Sequence, residues 1–286
     1  MAPSVHESQL DRTLTSRIEQ QSADRERVSP RLSLVMPCFN EEAVVGFTLR
    51  DLTDAFSAEG IPIEIVAVDN GSRDGTAGIL RELRAKGLPI EIITVPVNEG
   101  YGSGILAGLP RCRAPWVGII PADGQVDAED VVRLFKILEA GPHPMLGKVR
   151  RRFRMDGFRR KVISIAYNAL IGLLFPRLGS IDVNGLPKII PAEALRVMEL
   201  SSRRWFLDPE IMIKAKVMKL PVLEMNVFAR MRSAGMSHVR ASTCWEFLTG
   251  LARYRVGGPL RDWKRSYLAS RSSNPTSREA AIEEVR

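Results

Sequence analysis

The chain has 286 residues, of which 45% are hydrophobic and 26% are charged, a balance that is typical of a globular domain and excludes a mainly disordered chain. Its formal net charge of +8 is unevenly spread, because eight Lys and Arg residues face one Asp between positions 148 and 161, which predicts an anionic partner there. Three scattered cysteines, Cys38, Cys112 and Cys244, exclude a disulfide framework and favour a reducing cytoplasm.

Residues 1–30 are polar and charged and lack the apolar centre of a secretion signal, so they are predicted to form a disordered or flexible extension. The longest nearly continuous apolar stretch, residues 162–175, contains Asn168 and is shorter than the about 20 residues that span a bilayer. The sequence therefore predicts no membrane-crossing helix.

Four apolar runs are predicted to be buried strands, and each is followed by a helical pattern. The strands are predicted at residues 32–37, 63–68, 90–95 and 116–120; the helices are predicted from about residue 41, at 74–85, from 105 and at 128–138. Strands that alternate with amphipathic helices at this spacing indicate an α/β fold with a mostly parallel central sheet and flanking helices.

Polar residues follow all four predicted strands. They form four groups: Asn40-Glu41-Glu42, Asp69-Asn70, Asn98-Glu99 and Asp123-Gly124-Gln125. Ligands of open α/β sheets bind beyond the carboxyl ends of the strands, so the four groups predict one shared binding edge.

Asp123 and Gln125 are the predicted metal ligands. They lie two residues apart after a strand, and their oxygens suit Mg²⁺ or Mn²⁺ bound together with a diphosphate. The alternative for Asp-Gly-Gln is an ordinary turn.

Asp69 similarly has two interpretations, as an acceptor of hydrogen bonds from a nucleobase or ribose, or as the side chain of an Asx-turn.

The segment Gly102-Ser103-Gly104 formally matches part of a dinucleotide-binding fingerprint. That fingerprint belongs in the tight turn directly after the first strand of its unit, whereas residues 96–101 intervene here after the third strand. Close packing of a helix is the simpler explanation for these glycines.

The second half is predicted to contain a basic loop at residues 148–161 and an apolar helix at residues 162–175. The loop is open to three interpretations: a solvated surface, a nucleic-acid site, or a site for anionic lipid headgroups. Only Phe153 and Phe158 are available for base stacking, which disfavours nucleic acid. The adjoining apolar helix resembles an interfacial helix, which favours the lipid-headgroup interpretation of the loop. A helix in the protein core would show the same apolar pattern. An amphipathic helix is predicted at 241–265 and a mobile polar tail at 266–286.

Taken in order, four segments resemble the family 2 glycosyltransferases, and among them most closely the dolichyl or polyprenyl phosphate mannose and glucose synthases. The segments are residues 37–42, 68–76, 98–108 and 122–125. The resemblance covers residues 31–240 and implies a GT-A glycosyltransferase domain over that range.

The resemblance implies a donor site for a nucleoside diphosphate sugar. Its residues would be Pro37, Asn40, Glu41, Glu42, Asp69, Asn98, Gly100 and Asp123. The family's metal motif, Asp-Ala-Asp-x-Gln, here begins with Pro121, so that one carboxylate is missing. Cation binding is therefore expected to be weaker and to depend on Asp123, Gln125 and the diphosphate.

The resemblance also implies an acceptor site that binds a phosphate. Lys188 stands in for the Arg of the family's Thr-Ser-Gly-Phe-Arg segment, and Arg232 lies in a segment like the family's Arg-x-x-Gly-x-Ser. With the basic segment, the predicted phosphate contacts are Lys148, Arg159, Arg160, Lys188 and Arg232.

The predicted reaction is an inverting sugar transfer to a polyprenyl or dolichyl phosphate. A phosphate is already anionic, whereas a sugar hydroxyl would need a general base, for which Asp208 or Glu210 is the candidate.

The predicted location is the cytoplasm, peripherally at the inner face of the membrane, with a possible membrane-spanning partner subunit. Alternatives are a soluble hydroxyl acceptor, a nucleotide-sugar binding protein without turnover, and a nucleotidyltransferase.

Overall fold

The computed structural model describes residues 29–152, 169–176, 178–228 and 241–273, without the side chains of 151, 152, 241–247 and 273. The strands are β1 Leu32–Cys38, β2 Ile63–Asn70, β3 Ile90–Val95, β4 Trp116–Ile119, β5 Leu146–Arg152, β6 Lys188–Pro191 and β7 Val222–Phe228. The helices are α1 Val45–Ala58, α2 Thr76–Ala85, α3 Tyr101–Gly108, α4 Ala128–Glu139, α5 Ala192–Met198, α6 Leu207–Met218, α7 Ala241–Val256 and α8 Gly258–Ser273. Residues 169–174 are also helical.

The strands form one seven-stranded sheet in the order β3-β2-β1-β4-β6-β5-β7. β1 pairs in parallel with β2 and β4, and β2 pairs in parallel with β3, which confirms the predicted parallel core. β6 is antiparallel to both β4 and β5. The parallel arrangement aligns the carboxyl ends of the first four strands along one edge.

Helices cover both faces of the sheet, so every residue of β2 is buried and six of the seven residues of β1 are. On one face, Leu34 of β1 packs with residues of α1, α2 and α4, including Phe56 and Phe135. On the other face, Val35 packs with residues of α3, α5, α6 and α7. Neighbouring residues of β1 therefore serve opposite cores, as the alternation of side chains along a strand requires.

The structure corrects three expectations in the second half. Residues 148–152 belong to β5 and are not a loop, because Lys148 and Val149 are buried in the sheet. The helix predicted at 241–265 is two helices that meet at Gly257 and Gly258. The tail expected from residue 266 is helical as far as Ser273.

No helix within the described ranges is both long enough and apolar enough to cross a bilayer. The first half of the predicted 162–175 helix lies outside the described residues, and in its second half residues 169–174 are helical as expected. Leu173 in this part is 79% exposed, whereas Ile171 is fully buried. This segment therefore contributes to the core on one side and presents an apolar side chain on the other.

Candidate functional site

The predicted donor residues lie along one edge of the sheet. Cys38 at the end of β1 is the register partner of Asp69 at the end of β2, and β4 runs parallel to β1 on its other side. The loop that carries Asp123 follows β4 directly, so Asp69 and Asp123 flank β1. Two strand spacings separate their strands, roughly 10 Å.

The loops after β1 and β2 are tied together by hydrogen bonds. The Arg73 N–H donates to Asn40 Oδ1 (2.8 Å), and the Glu41 N–H donates to Thr76 Oγ1 (2.9 Å). The Gly75 N–H at the start of α2 donates to Glu42 Oε2 (2.6 Å). Asn40 and Glu42 therefore shape this edge by joining the two loops.

Asp69 is 5% exposed, and its Oδ1 accepts a hydrogen bond from the Ser72 N–H (3.0 Å). This bond spans three residues, one more than the predicted Asx-turn, and it orients the carboxylate at the end of β2. The neighbouring Cys38 thiol is fully buried, and burial with the nearby Glu41 and Asp69 charges raises its pKa. Cys38 is thus a neutral packing residue beneath the edge.

Asp123 lies in a tight turn that α1 holds in place. The Gln125 N–H donates to Asp123 Oδ1 (3.2 Å), Gly124 has a φ of 63°, and Thr48 Oγ1 donates to the Ala122 carbonyl (3.0 Å). Within the described residues no group of three His, Cys, Asp or Glu side chains is arranged to hold a metal. One carboxylate and one amide fit an ion that receives its other ligands from a diphosphate and water, as Mg²⁺ commonly does.

The loop after β3 is fixed to the end of β2 by Asn70. Asn70 Nδ2 donates to the Gly100 carbonyl (3.0 Å), and the Gly100 N–H donates to Asn98 Oδ1 (2.8 Å). Gly100 has a φ of 118°, which favours glycine. The Asn70 Oδ1 is buried and has no hydrogen-bond partner within the described part of the chain. The sequence grouped Asn70 with Asp69 but gave no sign of this bridging role.

Helix α3 begins against a turn formed by residues 201–205, which the sequence did not predict to be part of the site. The Ser103 N–H donates to the Arg203 carbonyl (2.6 Å), and the rings of Tyr101 and Trp205 stack with centroids 5.0 Å apart. A Cβ on Gly102 would lie 2.7 Å from the Arg203 carbonyl carbon. Close packing of α3 is therefore the reason for this glycine, as predicted, and the helix predicted from residue 105 begins earlier, at Tyr101.

Glu210, one of the two candidate bases, is fully buried. It accepts hydrogen bonds from the Ser202 N–H (2.8 Å), Lys214 Nζ (2.7 Å) and the Tyr254 hydroxyl (3.1 Å). Burial alone would raise the pKa of Glu210, but Lys214 and the Ser202 bonds bring it below the usual value. The carboxylate of Glu210, a candidate base, therefore holds the 201–205 turn and α7 against α6.

Asp208, the other candidate base, points to the sheet. Its Oδ1 is 2.5 Å from Lys188 Nζ, and both side chains are buried. Burial raises the pKa of Asp208, and Lys188 opposes that rise. The structure thus pairs Asp208, a candidate base, with Lys188, a predicted acceptor-phosphate contact, and buries both groups.

Lys148 is the register partner of Lys188 on β5 and is also fully buried. Its Nζ donates to Ser180 Oγ (2.8 Å), to Glu224 Oε2 (3.1 Å) and to the Asp182 carbonyl. Burial and the neighbouring Lys188 charge lower the pKa of Lys148 to about 8. Its ammonium is enclosed by protein groups, which contradicts the predicted contact with an acceptor phosphate.

Of the remaining predicted residues, Pro37 lies in β1 beside α3, where a Cβ on Gly104 would be 3.2 Å from it. Arg159, Arg160 and Arg232 lie outside the described residues. The described structure therefore brings the donor candidates together, and it assigns the acceptor candidates it contains to internal ion pairs.

Comparison with known proteins agrees with this architecture. The family model described as "Glycosyl transferase family 2" matches residues 33–192. The undecaprenyl-phosphate 4-deoxy-4-formamido-L-arabinose transferase of Pseudomonas fluorescens is 34% identical over 147 residues, which are 50% of this chain and 43% of that protein. The chain thus matches less than half the length of this relative. An uncharacterized glycosyltransferase of Mycobacterium bovis is 26% identical over 74% of this chain and 90% of its own length.

Among solved structures, the glucosyl-3-phosphoglycerate synthase of Mycobacterium tuberculosis, in complex with Mn²⁺, uridine diphosphate and phosphoglyceric acid, superposes with a TM-score of 0.63. It is 20% identical, and the match covers 80% of each chain. This likeness confirms the predicted GT-A fold.

Proposed function

The chain belongs to glycosyl transferase family 2, and from that premise we propose that it is an enzyme that transfers a sugar from a nucleoside diphosphate to a polyprenyl phosphate. The observation that carries the proposal is the donor edge, where Asp69 and Asp123 flank β1 on loops that hydrogen bonds hold in fixed positions.

The donor edge suits a nucleoside diphosphate in its dimensions and its chemistry. Asp69 would accept hydrogen bonds from the nucleoside, with Pro37, Asn40, Glu41, Glu42, Asn98 and Gly100 forming the surrounding loops. The roughly 10 Å between the two strand ends is comparable to the distance from a nucleoside to its diphosphate. Asp123 and Gln125 lie at the diphosphate end.

Asp123 and Gln125 would hold a divalent cation, Mg²⁺ or Mn²⁺. Both side chains supply oxygen ligands, and the diphosphate supplies more. When bound, such an ion neutralises negative charge on a departing diphosphate. The M. tuberculosis structure contains Mn²⁺ and uridine diphosphate together, which supports this assignment.

The ion pairs of α6 support a phosphate acceptor. Asp208 and Glu210, the candidates for deprotonating a hydroxyl, each form an ion pair with a buried lysine. A phosphate oxygen is already a nucleophile at neutral pH and needs no base. The P. fluorescens relative is an undecaprenyl-phosphate transferase, which favours a polyprenyl phosphate as the acceptor.

The reaction is proposed to invert the anomeric carbon in a single displacement. A phosphate oxygen of the acceptor forms the new bond to that carbon from the face opposite the diphosphate. The old bond between carbon and diphosphate oxygen breaks, and its electron pair leaves with the diphosphate. Stabilisation of that leaving charge is the main catalytic contribution. Arg159, Arg160 and Arg232 stay candidates for contacting the acceptor phosphate.

A lipid acceptor requires the enzyme to work at a membrane surface. We propose peripheral association with the cytoplasmic face of the inner membrane, in the synthesis of a cell-envelope glycan. A membrane-spanning partner subunit would be one means of attachment.

A direct assay tests the proposal. Purified protein is incubated with Mn²⁺, a short polyprenyl phosphate and a panel of nucleoside diphosphate sugars, and glycosylated lipid is measured. Asp123→Asn is expected to lower the rate by at least about 100-fold, and Asp54→Asn on the exposed surface of α1 is the matched control. Transfer only to soluble sugar hydroxyls would refute the acceptor assignment.

A further inference from the structure

Charge is separated between the two ends of the described chain. Residues 29–150 contain 12 Lys and Arg against 16 Asp and Glu, whereas residues 248–272 contain six Lys and Arg against the single Asp262. The second range covers most of α7 and nearly all of α8, here called the α7–α8 hairpin. The part of the protein that holds the donor edge is thus net negative, and the hairpin is strongly positive.

The positive side chains of the hairpin are all exposed: Arg253, Arg255, Arg261, Lys264, Arg265 and Arg271. On α8 they are arranged by helical periodicity. Arg261, Arg265 and Leu268 follow one another at spacings of four and three and form an outer stripe. Trp263, on the opposite side of α8, is 7% exposed.

Apolar side chains also project from the hairpin, and two of them, Val256 and Leu268, are at least half exposed. Val256, where α7 ends, is 76% exposed, and Leu268 is 50% exposed. A surface that combines Lys and Arg with protruding aliphatic side chains is typical of helices that lie on an anionic bilayer. A site for single-stranded nucleic acid would need exposed aromatic rings, and the hairpin's Trp263 and Tyr267 instead stack on each other with centroids 5.4 Å apart.

The inner side of the hairpin is fixed to the catalytic domain. Trp263 Nε1 donates to the Val197 carbonyl of α5 (3.0 Å), and Lys214 of α6 lies 5.0 Å from the Trp263 ring centroid. The Tyr254 hydroxyl donates to Glu210 (3.1 Å), which also holds the 201–205 turn beside the start of α3. Docking of the hairpin would therefore set the position of the donor edge relative to the membrane.

We propose that the outer face of the α7–α8 hairpin docks on an anionic lipid bilayer by charge attraction and by shallow insertion of Leu268 and Val256. This inference rests on the proposed function, because a lipid-linked acceptor must be met at such a surface. The two remain separable, because binding to vesicles needs neither a sugar donor nor catalysis.

The test is co-sedimentation of the full chain with two kinds of vesicle, one of phosphatidylcholine alone and one that also contains roughly 30 mol% phosphatidylglycerol to give it a negative surface. Wild type is expected to bind the phosphatidylglycerol vesicles at least about tenfold more tightly, and to lose that preference as salt screens the charges. Lys264→Glu/Arg265→Glu is expected to weaken binding by at least about tenfold, since each cation near an anionic surface contributes roughly a fivefold factor.

Arg81→Glu/Arg84→Glu on α2 is the matched control, because it makes the same change in charge at two exposed positions of the net-negative part. It is expected to retain at least half of the wild-type affinity. Equal binding of wild type to both vesicle types, or equal losses in the two double variants, would overturn the proposal. Binding to a nucleic acid without binding to the anionic vesicles would also overturn it. Absence of glycosyl transfer with intact vesicle binding would count against the proposed function alone.

Discussion

The donor edge and the C-terminal half of the sheet are held together by different means. At the donor edge, the Asn70 amide and backbone N–H groups donate hydrogen bonds, one of them to Thr76 Oγ1, and these bonds join the loops after three strands. In the C-terminal half, three buried lysines each pair with a carboxylate: Lys148 with Glu224, Lys188 with Asp208, and Lys214 with Glu210. One region orients its polar groups by hydrogen bonds at the ends of the strands, and the other pairs opposite charges inside the sheet and between helices.

This difference has an energetic consequence. A typical intramolecular hydrogen bond contributes about 0.5 to 1.5 kcal/mol net, whereas removing one member of a buried ion pair costs about 3 to 5 kcal/mol because the other charge stays buried. Single substitutions should therefore damage the C-terminal half through stability and the donor edge through ligand binding.

The largest effect is expected for Lys188→Met, which leaves Asp208 buried without its cation. We expect the free energy of unfolding to fall by about 3 to 5 kcal/mol, measured by urea denaturation. The double variant Lys188→Met/Asp208→Leu removes both charges and should recover most of that loss. Equal destabilisation in the single and double variants would show that the ion pair is not what matters at this position.

A pH series on Lys148 sharpens the comparison. Its pKa is lowered to about 8 by burial and by Lys188, against 10.5 for an ordinary lysine. Between these two values the unfolded chain binds the Lys148 proton and the folded chain does not, so stability should rise with pH. Relative to Lys148→Met, wild type should gain on the order of 1 to 2 kcal/mol between pH 8 and 9.5. A relative loss over this window would mean that Glu224 outweighs burial.

The contact between α3 and the 201–205 turn is tested by Gly102→Ala. The added Cβ would lie 2.8 Å from the Arg204 carbonyl oxygen, and we expect a loss of about 1 to 3 kcal/mol in stability, measured by urea denaturation. Gly78→Ala in α2 is the matched control, because a Cβ there meets nothing within 4 Å, and it should stabilise by about 0.5 to 1 kcal/mol. Equal tolerance at the two positions would contradict the close contact.

The sequence predicted the donor half well because its information is local. Apolar runs and turn residues repeat with each strand and helix, and β3 was predicted at the residues where it is found, 90–95. The order of the polar groups after the strands then placed Asp69 and Asp123 at one edge.

The C-terminal half was less predictable because its lysines look solvent-exposed in sequence. Lys148 opens a run of basic residues, and only its pairing across β5, β6 and β7 reveals that Ser180 and Glu224 enclose it. The partners lie 32 and 76 positions away, so no local pattern reports them. The role of Glu210 was missed for the same reason, since Tyr254 is 44 positions distant.

The smallest effect is expected at the donor edge for Glu42→Gln. Glu42 places its carboxylate at the N-terminus of α2, where it accepts the Gly75 N–H. Loss of that charge should cost about 0.3 to 1 kcal/mol of stability, measured by urea denaturation. Asp54→Asn on the exposed side of α1 is the control, with the same change in charge away from a helix terminus. A larger loss in the control would rule out the helix-terminus effect.

Binding of a nucleoside diphosphate at the donor edge is the central claim, and calorimetry tests it most directly. Uridine, guanosine, cytidine and adenosine diphosphates are each titrated into wild type and Asp123→Asn, with and without Mn²⁺. We predict saturable, Mn²⁺-dependent binding of at least one of them to wild type, weakened at least about tenfold in Asp123→Asn. Absence of binding to wild type, or equal binding to both proteins, would contradict the account.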